Sequence, residues 1–113
     1  MKNKRECGNF YEKLATEFLI KNGYTILKNN YTNSQGEIDI ICKKENFIIF
    51  VEVKYRKNQN YGHPLEAVGI KKQEKIRNTS LVYISENDIG NSGIRYDVIS
   101  VLGDKIEHYK NAF

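Results

Sequence analysis

Residues 36–56, GEIDIICKKENFIIFVEVKYR, hold two short apolar runs, each with a carboxylate set inside it. Ile38, Ile40 and Ile41 surround Asp39, and Phe47 to Val51 with Val53 surround Glu52. Runs this short and this rich in β-branched residues predict strands, and Lys43 to Asn46 between them suits a hairpin turn. Side chains alternate along a strand, so Glu52, Lys54 and Arg56 share one face, and Glu37 and Asp39 share another. An unpaired polar group in an apolar strand costs roughly 2–7 kcal/mol, and a bare charge costs more. Two adjacent apolar strands that each carry an acid therefore need a common partner for those acids.

A divalent cation, Mg²⁺ or Mn²⁺, is the expected partner. Mg²⁺ takes hard oxygen ligands, keeps several waters, and is commonly held by one or two carboxylates together with a phosphate. Asp39 and Glu52 supply such carboxylates. Lys54 then lies beside the ion as a compact charge that can orient a water or stabilise charge on a phosphate. The plainer alternative is a solvated Glu52–Lys54 pair with Asp39 at a sheet edge. A loose D-x(n)-E-x-K spacing does arise by chance. A solvated face, however, alternates along its whole strand, whereas these acids interrupt apolar runs.

Upstream, residues 4–21 predict an amphipathic helix, with Leu14 and Phe18, and Tyr11 and Ala15, at i, i+4. Asn22-Gly23 stops it. Glu12 lies on the edge of the apolar face, about 60° from Ala15 at ~100° per residue, where it either leans toward what the helix covers or stays solvated. Tyr24 to Leu27 predicts a short strand, followed by a polar segment from Lys28 to Gln35. Gly36 opens the next strand, and Glu37, on the Asp39 face, either approaches the same site or sits as a rim residue at the strand start.

Downstream, Arg56 and Lys57 leave the Glu52 strand where either a phosphate backbone is met or the strand exit is simply solvated. Residues 57–64 read as a loop, and Tyr55, Tyr61 and His63 near it are either base-stacking groups or ordinary loop and core aromatics. Residues 65–84 predict a second helix through Ile76, Ser80, Tyr83 and Ile84. Lys71, Lys72, Lys75 and Arg77 crowd its early half, and Lys71 and Lys72 are the first expectation for phosphate contact, against the alternative of a solvated charged face. Residues 94–102 predict a strand with Ile94, Tyr96 and Val98 on one face and Ile99 and Val101 on the other. Asp97 within it reads as a buried structural acid rather than a metal ligand. Residues 105–109 predict an edge strand that leaves His108 isolated.

At 113 residues, one domain spanning 1–113 is the natural count. No apolar run approaches the ~20 residues that span a bilayer, and the N-terminus lacks the apolar stretch of a secretory signal, so a cytoplasmic location is expected. Cys7 and Cys42 are too few for a disulfide framework or a Cys-rich zinc site, and both read as reduced thiols. Eighteen Lys and Arg against fourteen Asp and Glu give a net charge of +4, compatible with a polyanionic partner. Two histidines remote from any matched Ser or Cys leave a hydrolase triad unsupported. Neither a Gly-rich phosphate loop nor an internal repeat is present.

Asp39, then Glu52 and Lys54 on the next strand, resembles the PD-(D/E)xK pattern of restriction-endonuclease-like nucleases. The chain more closely resembles the YraN-like family of small bacterial proteins. The matching residues are Gly8, Glu12 and Ala15, Gly23-Tyr24 with Ile26-Leu27, Asn30, and Gly36-Glu37-Ile38-Asp39. They continue through Phe50-Val51-Glu52-Val53-Lys54 with Arg56, Gly62, Pro64, Glu66-Ala67-Val68, Lys71 and Arg95-Tyr96-Asp97-Val98. One departure is Tyr11, where the family often has Gly before the helix-one Glu, a position expected to concern packing.

The resemblance implies an α/β domain with a central mixed β-sheet flanked by helices, in the order α-β-β-β-α-β-β. It implies a metal-dependent endonuclease acting on DNA phosphodiester bonds, with DNA ahead of RNA. Asp39, Glu52, Glu12 and the Val53 carbonyl would hold Mg²⁺ or Mn²⁺, Lys54 would serve the chemistry, and Arg56, Lys71 and Lys72 would hold the backbone. A homodimer is implied by analogy with similar folds. Two other readings compete: a nucleic-acid-binding module on a nuclease fold that no longer cuts, and a small protein–protein adaptor.

Overall fold

The computed structural model describes residues 4–56 and 68–113, with side chains from Asn9 onward. The elements are α1 (Lys4–Lys21), β1 (Thr25–Asn33), β2 (Gly36–Lys44), β3 (Phe47–Arg56), α2 (Ile70–Glu86), β4 (Gly93–Leu102) and β5 (Lys105–Tyr109). They give the predicted order α-β-β-β-α-β-β. The five strands form one sheet in the order β1-β2-β3-β4-β5. Only the β3–β4 pair is parallel, because α2 carries the chain back across the sheet between them.

The sheet is covered on both faces. Ala15 and Leu19 of α1 pack on Ile40, Cys42, Ile49, Val51, Ile99 and Val101. Ile76 of α2 packs on the opposite set, which includes Ile41, Ile48, Phe50 and Val98. Burial on both sides explains why β3 reads as a continuous apolar run rather than an alternating one. Helix α1 ends as Asn22-Gly23 predicts. The Tyr24 amide bonds the Leu19 carbonyl at 3.0 Å and the Gly23 amide bonds the Ile20 carbonyl at 3.1 Å, with Gly23 at φ 89°. This pair of bonds is a Schellman motif, and it turns Tyr24 into the core. Burial pushes the Cys42 thiol up to about 12, so it stays protonated.

Three sequence expectations need correction. First, the strand expected at 24–27 runs from Thr25 to Asn33, so most of the supposed polar segment is strand. Asn29 to Asn33 pair with Ile40 to Gly36 of β2. An edge strand takes its order from the ladder and leaves polar side chains in solvent, so apolar alternation is not required and the low β-propensity of Asn is overridden. A register shift between Ile26 and Lys28 and a left-handed Asn30 at φ 53° bend this strand. Second, α2 begins at Ile70 rather than 65: Gly69 is extended at its N-cap, and the helix runs on to Glu86. Third, His108 is not isolated. β5 pairs His108 with Ile99, which places its ring on the same face as Asp97, and the two side chains meet at 2.7 Å.

The expectations for the Cys7 side chain, for Lys57 and the 57–64 loop with Tyr61 and His63, and for residues 65–67 fall outside the described residues. Among the described residues, no helix is long and apolar enough to cross a membrane.

Candidate metal centre

The β2–β3 ladder ends at the pair Ile40–Val51. Asp39 and Glu52 are the next pair in that register and lie beyond its end, where the strands part. Asp39 Oδ2 occupies the opening and accepts the Val53 amide at 2.8 Å, so the side chain replaces the backbone partner that β2 no longer provides. The two acids embedded in apolar runs are thus brought to one place by the fork between their strands.

Glu12 reaches this fork from α1. Ligand oxygens of Glu12, Glu37 and Asp39 all lie within 4.8 Å of one another. Glu12 lies next to Asp39 and Asn30. Carboxylates this close repel one another when ionised, and a cation among them would offset that repulsion. Burial raises the affinity of Asp39 and Glu12 for a proton. Asp39 is pushed up to about 6, by burial first and then by the charges of Glu12 and Glu37, against the pull of the Val53 amide. Glu12 is raised too, mainly by burial. The donor set is all hard oxygen, as Mg²⁺ or Mn²⁺ requires, and the residues present fit such an ion.

Glu52 sits beside this cluster rather than in it. Its side chain is 7% exposed and its Oε1 lies 3.4 Å from Lys54 Nζ and 3.4 Å from Lys72 Nζ. Burial, and next the charge of Asp39, push it up to about 7, while Lys72 and Lys54 pull the other way. Glu52 and Lys54 share the α2 face of β3, as strand alternation predicts, and Lys72 descends on them from the first turn of α2.

The structure therefore brings together Glu12, Asp39, Glu52, Lys54 and Lys72. Glu37, read either at the site or at the rim, belongs to the carboxylate group; its i, i+2 spacing from Asp39 was the available signal. Asn30 was not singled out for the site, since nothing in a run of polar residues distinguishes one Asn. Lys71 is exposed on α2. Arg56 ends β3 two residues beyond Lys54, opposite Leu102 and within electrostatic reach of Tyr109. Tyr55 stacks on Tyr11 with ring centroids 4.0 Å apart and planes 13° apart, so the Tyr that departs from the family's usual Gly has a packing partner.

A second polar centre is structural. Asp97 is fully buried and accepts from Arg95 at 2.9 and 2.8 Å, from the Asn111 amide at 2.9 Å, and meets His108 at 2.7 Å. Burial alone would raise its pKa, but bonds from His108, Arg95 and Asn111 hold it below the usual carboxylate range. It is the buried acid the sequence predicts.

A five-stranded mixed sheet between two helices, in this order, with a carboxylate group where two strands fork, defines a restriction-endonuclease-like α/β architecture. The model of Uncharacterised protein family UPF0102 matches residues 11–101. The chain is 48% identical to a UPF0102 protein of Clostridioides difficile (strain 630), over 98% of this chain and 99% of that one. It is 46% identical to one of Fusobacterium nucleatum, over 96% and 92% respectively. The chain belongs to this family, the YraN-like one its motifs resemble.

Proposed function

We propose that the protein is a metal-dependent nuclease that hydrolyses phosphodiester bonds of DNA. The observation that carries this reading is the group of Glu12, Glu37 and Asp39 oxygens within 4.8 Å, set against a buried Glu52 flanked by two lysines. Asp39, Glu12 and Glu37, with Glu52 and the Val53 carbonyl, would hold Mg²⁺ or Mn²⁺. When bound, such an ion supplies positive charge at the attacked phosphate and lowers the pKa of a water there.

The chain's own residues do the rest. Val53 fixes the Asp39 carboxylate through its amide, so the cluster is oriented by backbone rather than by a mobile side chain. Lys54 Nζ, held beside Glu52, is placed to orient the attacking water or to stabilise charge on the phosphate oxygens. Lys72 joins the same acid from α2 and brings a second cation to the phosphate. Water attacks phosphorus and releases a proton to solvent, the bond to one ester oxygen breaks, and that oxygen takes a proton from solvent.

One observation favours a second reading, a non-cutting nucleic-acid-binding module. Glu52 is already satisfied by Lys54 and Lys72, so this half of the site is neutralised without an ion.

A labelled panel of duplex, single-stranded, flap and four-way-junction DNA, incubated with Mn²⁺, separates the two. Cutting by wild type and not by Glu52→Ala supports the nuclease. Equal binding of one shape by both proteins with no cutting by either moves the binding module ahead. Cutting that survives in Glu52→Ala refutes the assigned site.

A further inference from the structure

A cleft of about 360 Å³ opens between the β1–β2 turn and α2, lined by Asn33, Ser34, Gln35, Gly36, Glu37, Lys72, Lys75 and Ile76. Ligand clefts commonly occupy ~300–1,000 Å³. Two of its walls are shared with the site above. Glu37 belongs to the carboxylate group, and Lys72 is the cation on Glu52. The cleft is thus a direct continuation of the candidate centre along the sheet end.

Its walls are built to stay apart by a fixed amount. Asn33 Nδ2 bonds the Thr79 carbonyl of α2 at 3.2 Å and the Tyr31 hydroxyl at 3.0 Å, while its Oδ1 accepts the Gln35 amide at 2.8 Å. The turn is thereby tied to the helix. Gly36, at φ 154°, lets them approach: a Cβ there would come within 2.9 Å of Thr79 Oγ1 and 3.2 Å of Lys75 Cγ. The stem of Lys75 is laid across this glycine.

The lining sets two cations, Lys72 and Lys75, against one acid, Glu37. Among the described residues, Lys75 forms no ion pair. The first turn of α2 holds no acid and carries Lys71 and Lys72, opposing the positive end of the helix dipole. An arrangement that costs stability in the free protein is satisfied by an anion.

We infer that this cleft is a subsite for the phosphodiester next to the one cut, with Lys75 as its contacting cation. This rests on the proposed function and extends it: the nucleic-acid strand crosses the carboxylate group and continues along the cleft past Lys75. Gly36 is needed because a side chain there displaces the Lys75 stem.

The test compares wild type, Lys75→Gln, Lys75→Arg and Gly36→Ala. Binding of labelled single-stranded and duplex DNA is titrated with salt in EDTA. Lys75→Gln is expected to lower the slope of log K against log salt by about one unit, Lys75→Arg to keep it, and Gly36→Ala to lower it in part. In parallel, substrates carrying one neutral methylphosphonate at successive positions from the cut are cleaved with Mn²⁺. One position adjacent to the cut is expected to raise KM for wild type and to add nothing in Lys75→Gln. Cleavage by wild type with an identical salt slope and methylphosphonate pattern in Lys75→Gln overturns the subsite and leaves the nuclease standing. Absence of cleavage with a reduced slope in Lys75→Gln does the reverse. Wild type that binds no nucleic acid overturns both.

Discussion

The Val53 amide donates to Asp39 Oδ2 at 2.8 Å across the point where β2 and β3 separate. This bond joins the strand that carries Asp39 to the strand that carries Glu52 and Lys54, one residue either side of Val53. It fixes a carboxylate in a half-buried opening, within reach of the Glu12 and Glu37 carboxylates. The site is therefore a property of a strand fork, and each expected outcome below tests one part of it.

Lys54→Ala should lower the cleavage rate by about 100-fold or more, the usual effect of deleting one group that stabilises developing charge, while DNA affinity changes only a few-fold. Single-turnover cleavage and anisotropy on the same substrate measure the two. Equal rates for wild type and variant would remove Lys54 from the chemistry.

Mn²⁺ at ~100 times its dissociation constant should stabilise wild type at pH 8 by about 2.7 kcal/mol, seen as a rise in Tm. Asp39→Asn should lose most of that rise, and it should shrink in wild type at pH 5.5, where protons on Asp39 and Glu52 compete with the ion. A Tm response that Asp39→Asn leaves intact would place the ion elsewhere.

In EDTA, the folded pKa values of Asp39, about 6, and Glu52, about 7, both lie above the ordinary values of these groups. The folded state then binds protons that the unfolded chain releases. This stabilisation is full below the unfolded values near pH 4 and is lost as pH rises through about 7. Urea unfolding of wild type should show stability falling from pH 5 to pH 8, and Asp39→Asn/Glu52→Gln should flatten the fall. Asp97, held low, stays ionised throughout this window and does not contribute. Parallel curves for the two proteins would contradict the burial of these acids.

Asp97→Ala should cost about 3 kcal/mol, since it strands the partly buried Arg95 and His108 without their acid. The C-terminal residues should loosen with it, because the Asn111 amide loses its acceptor. Urea midpoints and amide exchange at Asn111 and Ala112 report both effects. A loss under about 0.5 kcal/mol would show the network to be dispensable. Cleavage per folded molecule should be unchanged, as Asp97 lies apart from the carboxylate group.

Much of this was legible because it is local. Two apolar runs with embedded acids announced β2 and β3, and period-2 alternation placed Glu52 and Lys54 on one face without reference to the rest of the chain. The helical period put Leu14, Ala15 and Phe18 toward the sheet, and Asn22-Gly23 marked a stop whose hydrogen bonds close within six residues. Asp97 read as buried because an acid inside Ile94 to Val101 has nowhere else to go. β1 was not legible past Leu27, because an edge strand is held by a ladder to its neighbour and its own residues need carry no pattern.

The sequence by itself determined the elements, their order and the acids that cannot be left alone. Tertiary structure decided which groups answer them. Glu12 joins Asp39, Lys72 joins Glu52, and His108 joins Asp97 because strand register, the β2–β3 fork and the descent of α2 bring together residues 11 to 27 positions apart. Such meetings are set by how far separate segments travel before they pack, and no short-range periodicity records that.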